Sequence, residues 1–392
     1  MQRDSLNPIM KTVTTSSAQA DDDLQLALER TTVAQAWLAG DFVQAWRQRV
    51  DRKGSSFVLR LAAHNPPDVF VVREVFAPAF RVLEQMSHGR LVVQPVWGES
   101  NHALADGWRV LRERRIDITA CYSSRSPDLG FRLFQGLFLP GVFTGAHVAT
   151  LVSEILYRKW FKPDFDRQGV RMGRLKATAS DVIFSRRPIR TLEDLQGLRI
   201  TASSGWHGEI YRQLGATVCM KTSPQAAAAI ASGEIDAAAM TDGSAQVFGV
   251  DRVTGYRLET GGLGRLNLEY CMSPASYDAL PEDLRAVLAA WFSGLAQAEC
   301  QVFYGVGGAQ ARMEFARQGM ETTRLNAADT ARLGTLAAAV QEQFVAQLQA
   351  DGLPAAEFMK DLRAAARQWE GASENELMQR AIDFPVLDIN QP

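Results

Sequence analysis

From Phe57 onward, short apolar runs alternate with amphipathic stretches, a pattern that predicts α/β layering on a largely parallel sheet. Phe57 to Ala63 is the first expected strand. The spacing of Val72, Phe76, Phe80 and Leu83 predicts a helix after Pro66-Pro67, kinked where Pro78 removes a backbone donor and closed by Ser87-His88-Gly89. Arg90 to Val96 reads as the second strand, Ala103 to Arg114 as a helix and Ile116 to Cys121 as the third strand, which completes a βαβαβ unit.

A second unit follows a helical passage from Ala146 to Phe161. Its expected strands are Val170 to Ala177, Val182 to Phe184, Leu198 to Ala202, Thr217 to Lys221 and Ile235 to Met240. Between them lie a helical turn at Leu192 to Leu195 and helices at Trp206 to Leu214 and Pro224 to Ala231. Leu266 to Met272 reads as a returning strand. A long helix from Pro281 to Ala316 opens on a proline and acidic residues, which suit a helix N-terminus. Helices at Ala327 to Gln349, Ala355 to Trp369 and Ser373 to Ala381 end the chain. Residues 1–56 differ from all of this. Leu24, Leu28, Val33, Trp37, Phe42 and Trp46 recur at loosely helical spacing, so the segment is expected to be a helical extension that packs on the body.

Length and composition narrow the class. The 392 residues suffice for two domains with proper cores, or three. A net charge of -2 with no basic run excludes a binder held by phosphate neutralisation, so no nucleic acid is expected. No apolar run approaches the roughly 20 residues needed to span a bilayer. Cys121, Cys219, Cys271 and Cys300 lie far apart, and His88, His102 and His147 lack metal-ligand spacing, so neither a metal site nor a disulfide framework is expected. The N-terminus has no apolar signal core, and its equal numbers of basic and acidic residues argue against a transit peptide; no export signal is expected. Thr260-Gly-Gly-Leu-Gly-Arg265 lacks the spacing of a phosphate loop and reads as a hinge turn. No nucleophile elbow or His-Glu-x-x-His motif occurs, and no cofactor is expected.

Several segments, in order, resemble the substrate-binding proteins of tripartite ATP-independent periplasmic (TRAP) transporters, the DctP-like family. They are Met86-Ser-His-Gly-Arg90, Phe138-Leu-Pro140, Pro188-Ile-Arg-Thr-Leu-Glu-Asp-Leu-Gln-Gly-Leu-Arg-Ile200, Leu214-Gly-Ala216, Gly233-Glu-Ile-Asp236 and Ser276-Tyr-Asp-Ala-Leu-Pro-Glu-Asp-Leu-Arg285. The resemblance runs over about Phe57 to Asp361. It implies a two-lobed α/β fold of the type II periplasmic-binding-protein kind, with a hinged inter-lobe cleft and C-terminal helices. The lobes would be residues 57–179 plus 265–392 and residues 180–264. It further implies a small organic ligand, membrane transporter subunits as partners and a periplasmic location, with the chain a monomer or homodimer. Closure would follow from ligand contacts to both lobes.

Departures from the family pattern bear on the ligand. The arginine that commonly follows the Gly-Leu-Arg-Ile strand and clamps a carboxylate is here Thr201. A second basic position of the sialic-acid-binding branch corresponds to Asp181, and a frequent asparagine to Met240. Such a cleft is expected to seek anions less, and Arg125, after the third strand, is the expected replacement cation. Asp181 could instead pair with Arg125 or Arg199. His64 and Asn65, at the end of the first strand, fall where the family places ligand contacts. Trp97 and Trp206 could stack on a ring or pack the core, and Tyr122, Ser123, Ser203 and Ser204 could supply hydroxyls. The alternative reading is a cytoplasmic enzyme or sensor reusing the cleft on an enclosed, more apolar substrate. Asp181, His64 and Tyr122 would then be its proton-transfer candidates, since desolvation shifts their pKa values.

Overall fold

In the computed structural model, which describes residues 17–98, 103–202, 205–386 and 389–390, the strands form two mixed sheets. The first contains β1 (Phe57–Ala63), β2 (Leu91–Trp97), β3 (Ile118–Ala120), β4 (Arg171–Ala177) and the later β10 (Asn267–Met272), in the order β2-β1-β3-β10-β4. The second contains β5 (Val182–Ser185), β6 (Arg199–Thr201), β7 (Thr217–Val218), β8 (Ala237–Met240), β9 (Tyr256–Glu259) and β11 (Glu321–Arg324), in the order β11-β9-β5-β8-β6-β7. The βαβ units pair in parallel as the pattern implied. One strand in each sheet runs counter: β10 against β3 and β4, and β5 against β8 and β9.

These two strands are the direct continuations of the chain crossings between the lobes. The crossings lie side by side: Thr178 N–H donates to the Leu266 carbonyl and Asp181 N–H to that of Gly264, both at 2.8 Å. These two strands cross together between the lobes, an arrangement that suits a hinge.

Glu282–Ala298 and Gly308–Arg317 are α-helical and are joined by a π-helical stretch, Glu299–Gly307, so the expected long helix is one rod with a change of winding. Its first part buries Trp291, which donates to the Ala79 carbonyl at 2.7 Å in the first lobe. Its last part sets Phe315 edge-on against Phe184 of the second lobe at 5.5 Å. Another π stretch, Val72–Phe76, precedes Ala77–Met86, so Pro78 falls in the first turn of the α-helical part, where its missing N–H costs little.

Residues after 265, expected to rejoin only the first lobe, serve both. β11 pairs in parallel with the otherwise open side of β9 and completes the second sheet. Neither β9 nor β11 was expected, and β3 and β7 are shorter than the pattern suggested. The extension is helical, as expected, at Ser17–Arg30, Thr32–Ala39 and Gln44–Arg47. It runs along the rod, with Trp37 buried over Gly294.

Candidate functional site: the cleft between the lobes

The carboxyl ends of β1 and β3 build the first wall. His64, just past β1, is buried and meets the Tyr122 ring edge-on at 5.6 Å, while the neighbouring Asn65 is half-buried. Tyr122 turns the chain out of β3 in the left-handed conformation, with φ at 52°. That turn aims the next amide, Ser123 N–H, at the buried carboxylate of Glu269 on β10. Burial pushes the Glu269 carboxyl up to about 7, against the opposing pull of the Ser123 donors. Trp97 stacks on Phe80 at 6.1 Å and tilts against Phe76 at 5.8 Å, so its ring packs within the first lobe.

Beside this wall lies a charged cluster that pattern reading missed. Arg174 and Lys176, two apart on β4 and so on one face, both pair with Glu299 on the rod. Lys176 Nζ also donates to the Tyr304 hydroxyl at 3.0 Å, and the Arg174 guanidinium lies over the Tyr270 ring at 4.3 Å. The signal was two basic residues, Arg174 and Lys176, alternating with small or apolar ones in the buried part of the strand. Burial lowers the Lys176 pKa, while Arg174 and Lys176 together hold Glu299 below the usual carboxylate range despite its burial.

The second wall comes from the hinge and β6. Asp181 is buried and lies 3.4 Å from Nδ1 of His207, whose Nε2 is 3.1 Å from the Tyr211 hydroxyl. Burial raises the Tyr211 phenol well above its ordinary pKa. Arg199, which with Arg125 was an expected partner of Asp181, is instead committed to Asp236, with Nη2 to Oδ1 at 2.7 Å and Nε to Oδ2 at 3.0 Å. Thr201 Oγ1 donates to the Lys221 carbonyl and accepts from the Lys221 amide, both at 3.2 Å, which extends the pairing beside β7. Met240 is buried opposite Val182 in the second lobe's apolar core. Ser203 and Ser204 lie outside the described residues, as does the side chain of Arg125.

A groove of about 810 Å³ opens beside helix Ala327–Ala350, next to the first wall at Ser124 and to the second at Gly205 and Trp206. Phe131 and Gln135 line it from the first lobe, Trp206 and Met220 from the second, and Leu348 from the helix. Trp206 meets Phe344 edge-on at 5.3 Å, so the indole both packs on this helix and faces the groove. Two arginines reach its rim: Arg132, paired with Asp351, and Arg212, paired with Glu209 at 3.1 Å. Among the described residues, no three His, Cys, Asp or Glu side chains are placed to hold a metal.

Two lobes joined by crossing strands, with a cleft at the strands' carboxyl ends, define a hinged ligand-binding protein. A family model for bacterial extracellular solute-binding protein, family 7, the DctP family, matches residues 64–348, and the chain belongs to that family. The fold matches those of solved relatives. A TRAP solute-binding protein from Rhodoferax ferrireducens, in complex with copurified benzoate, superposes with a TM-score of 0.73 at 19% identity, covering 80% of this chain and 98% of that one. One from Bordetella bronchiseptica with bound (R)- and (S)-mandelate gives 0.70 at 19% identity, covering 80% and 99%. Another, from Desulfovibrio salexigens with bound orotic acid, gives 0.69 at 14% identity, with the same coverage. A search of curated proteins found no match. The family membership supports solute binding over the alternative of an enzyme or sensor. No helix among the described residues is long and apolar enough to cross a membrane.

Proposed function

We propose that this chain captures a small organic acid with an apolar, ring-sized body and a single carboxylate, and delivers it to the membrane subunits of a TRAP transporter from the periplasm. The observation that carries this reading is the commitment of Asp181 to His207 and of Thr201 to the Lys221 backbone. At those two positions the second lobe offers no cation for a second carboxylate, and bringing an unpaired carboxylate out of water costs several kcal/mol. Phe131, Trp206, Met220 and Leu348 instead give the groove apolar walls, and its arginines stand at the rim. Benzoate and mandelate, bound by two similar structures, have this chemistry. His64, Asn65, Tyr122 and Ser123 on the first wall and Trp206 at the groove, together with Arg125 and Ser203, are the proposed ligand contacts.

Because only the folded state binds the solute, a ligand raises the melting temperature by mass action. Thermal denaturation with benzoate, mandelate, succinate and galactonate, followed by calorimetry on the best ligand, tests the proposal. A saturable rise with the aromatic acids that exceeds the others is expected. A dominant response to succinate or galactonate, with none to the aromatic acids, would overturn it.

A further inference from the structure

Behind the hinge lies a second cavity, of about 430 Å³. Its inner wall is Arg265, next to the crossing strand residue Gly264. Its outer wall is the N-terminal helix Ser17–Arg30, which lies outside the span matched by the family model.

The charges around the cavity do not balance. Arg265 Nη1 and Nη2 donate to the carbonyls of Thr178 at 3.3 Å and Thr144 at 3.0 Å. Its Nε–H is buried without a hydrogen-bond partner, and no carboxylate among the described residues forms an ion pair with it. Burial accordingly lowers its pKa to about 10, with Asp181 opposing from a distance. Arg30, exposed at the end of the N-terminal helix, has no ion pair among the described residues. Arg312 lies 3.7 Å from Asp23 and 3.3 Å from Asp242, and Glu374 lies 3.8 Å from His147, whose pKa is lowered by burial. Three lining arginines against the two lining carboxylates, Asp23 and Glu374, leave one net positive charge, and Arg265 is the arginine with no ion pair that is also buried at its Nε.

A helix start opens onto the same space. Helix Ala146–Leu156 begins at the cavity with no side-chain cap on its first amides, so the positive end of its dipole faces inward.

We propose that this cavity binds a small oxyanion, a carboxylate or phosphate-type group, between Arg265, Arg30 and the first turn of helix Ala146–Leu156. An anion there supplies the counter-charge that the buried guanidinium lacks. It also fastens the N-terminal helix to the hinge, in a place separate from the groove between the lobes.

Calorimetry and thermal denaturation of the full chain, with inorganic phosphate or acetate titrated at constant ionic strength, test the assignment. At least one of the two anions is expected to bind saturably and raise the melting temperature, and the stronger of them identifies the group. Arg30→Gln, at an exposed helix end that leaves the core intact, should weaken that binding about tenfold, as expected for a charge-assisted contact. The double variant Arg132→Gln/Arg212→Gln, at the groove rim, should keep it. No saturable response to either anion, equal binding by Arg30→Gln and the unaltered chain, or loss only in the double variant would each overturn the assignment.

Discussion

Glu154 shows how a single buried side chain ties this fold to pH. It lies inside helix Ala146–Leu156 and accepts only long contacts from the Ser293 hydroxyl, at 3.4 and 3.5 Å. Burial pushes its carboxyl up to about 8, so between roughly pH 4.5 and 8 the folded state keeps a proton that the unfolded chain has released. A raised carboxyl pKa therefore makes stability fall as pH climbs through that window, and Glu269 acts in the same direction up to about 7. Glu154→Gln stays neutral throughout. Urea unfolding at pH 5, 6.5 and 8 should show the variant gaining on the unaltered chain by on the order of 3 kcal/mol across the range; parallel profiles would reject this role. At the same scale, Asp181 was legible as a departure from the family pattern but its partner was not. His207 lies 26 positions away on a helix whose rotation no local pattern specifies.

Among the elements, the hinge strand carries the tightest steric demand. A Cβ built on Gly264 would overlap the His207 imidazole, so glycine is what lets this strand pass beside the Asp181–His207 pair. Gly264→Ala should displace His207 and destabilise the protein by about 1–3 kcal/mol, the usual cost of overpacking. Denaturant midpoints read this directly, and an unchanged midpoint would show that the ring moves freely. The strands with strong apolar patterns, β1, β2, β4 and β10, stood out in the sequence, as did most helices. β11 did not, because Glu321-Thr-Thr-Arg324 lies at a sheet edge, half-exposed, and carries almost no apolar signal. β9 fell short for a related reason. Its Arg257 is buried, but it is paired with Asp242 at 2.7 Å, and the sequence alone does not disclose that partner.

For the molecule as a whole, the N-terminal extension is part of the folded body. A Cβ on Gly294 would come within 2.6 Å of the Trp37 ring, so the rod has a recess there that the indole fills. Trp37→Ala should cost about 3–5 kcal/mol, as for other large-to-small changes at buried aromatic positions. Thermal unfolding measures this, and a loss below about 1 kcal/mol would show that the extension adds little to the fold. The sequence by itself determined the α/β class, the repeated βαβ units, the helical extension and the family, because periodicity and short motifs are properties of neighbouring residues. Only the tertiary structure decided that the rod serves both lobes, that β11 returns to the second sheet, that Asp181 turns to His207, and that Arg265 lines a cavity with no carboxylate ion-paired to it among the described residues. Each of these rests on residues distant in the chain whose contacts depend on how whole elements pack, and burial then sets the strength of every charge among them.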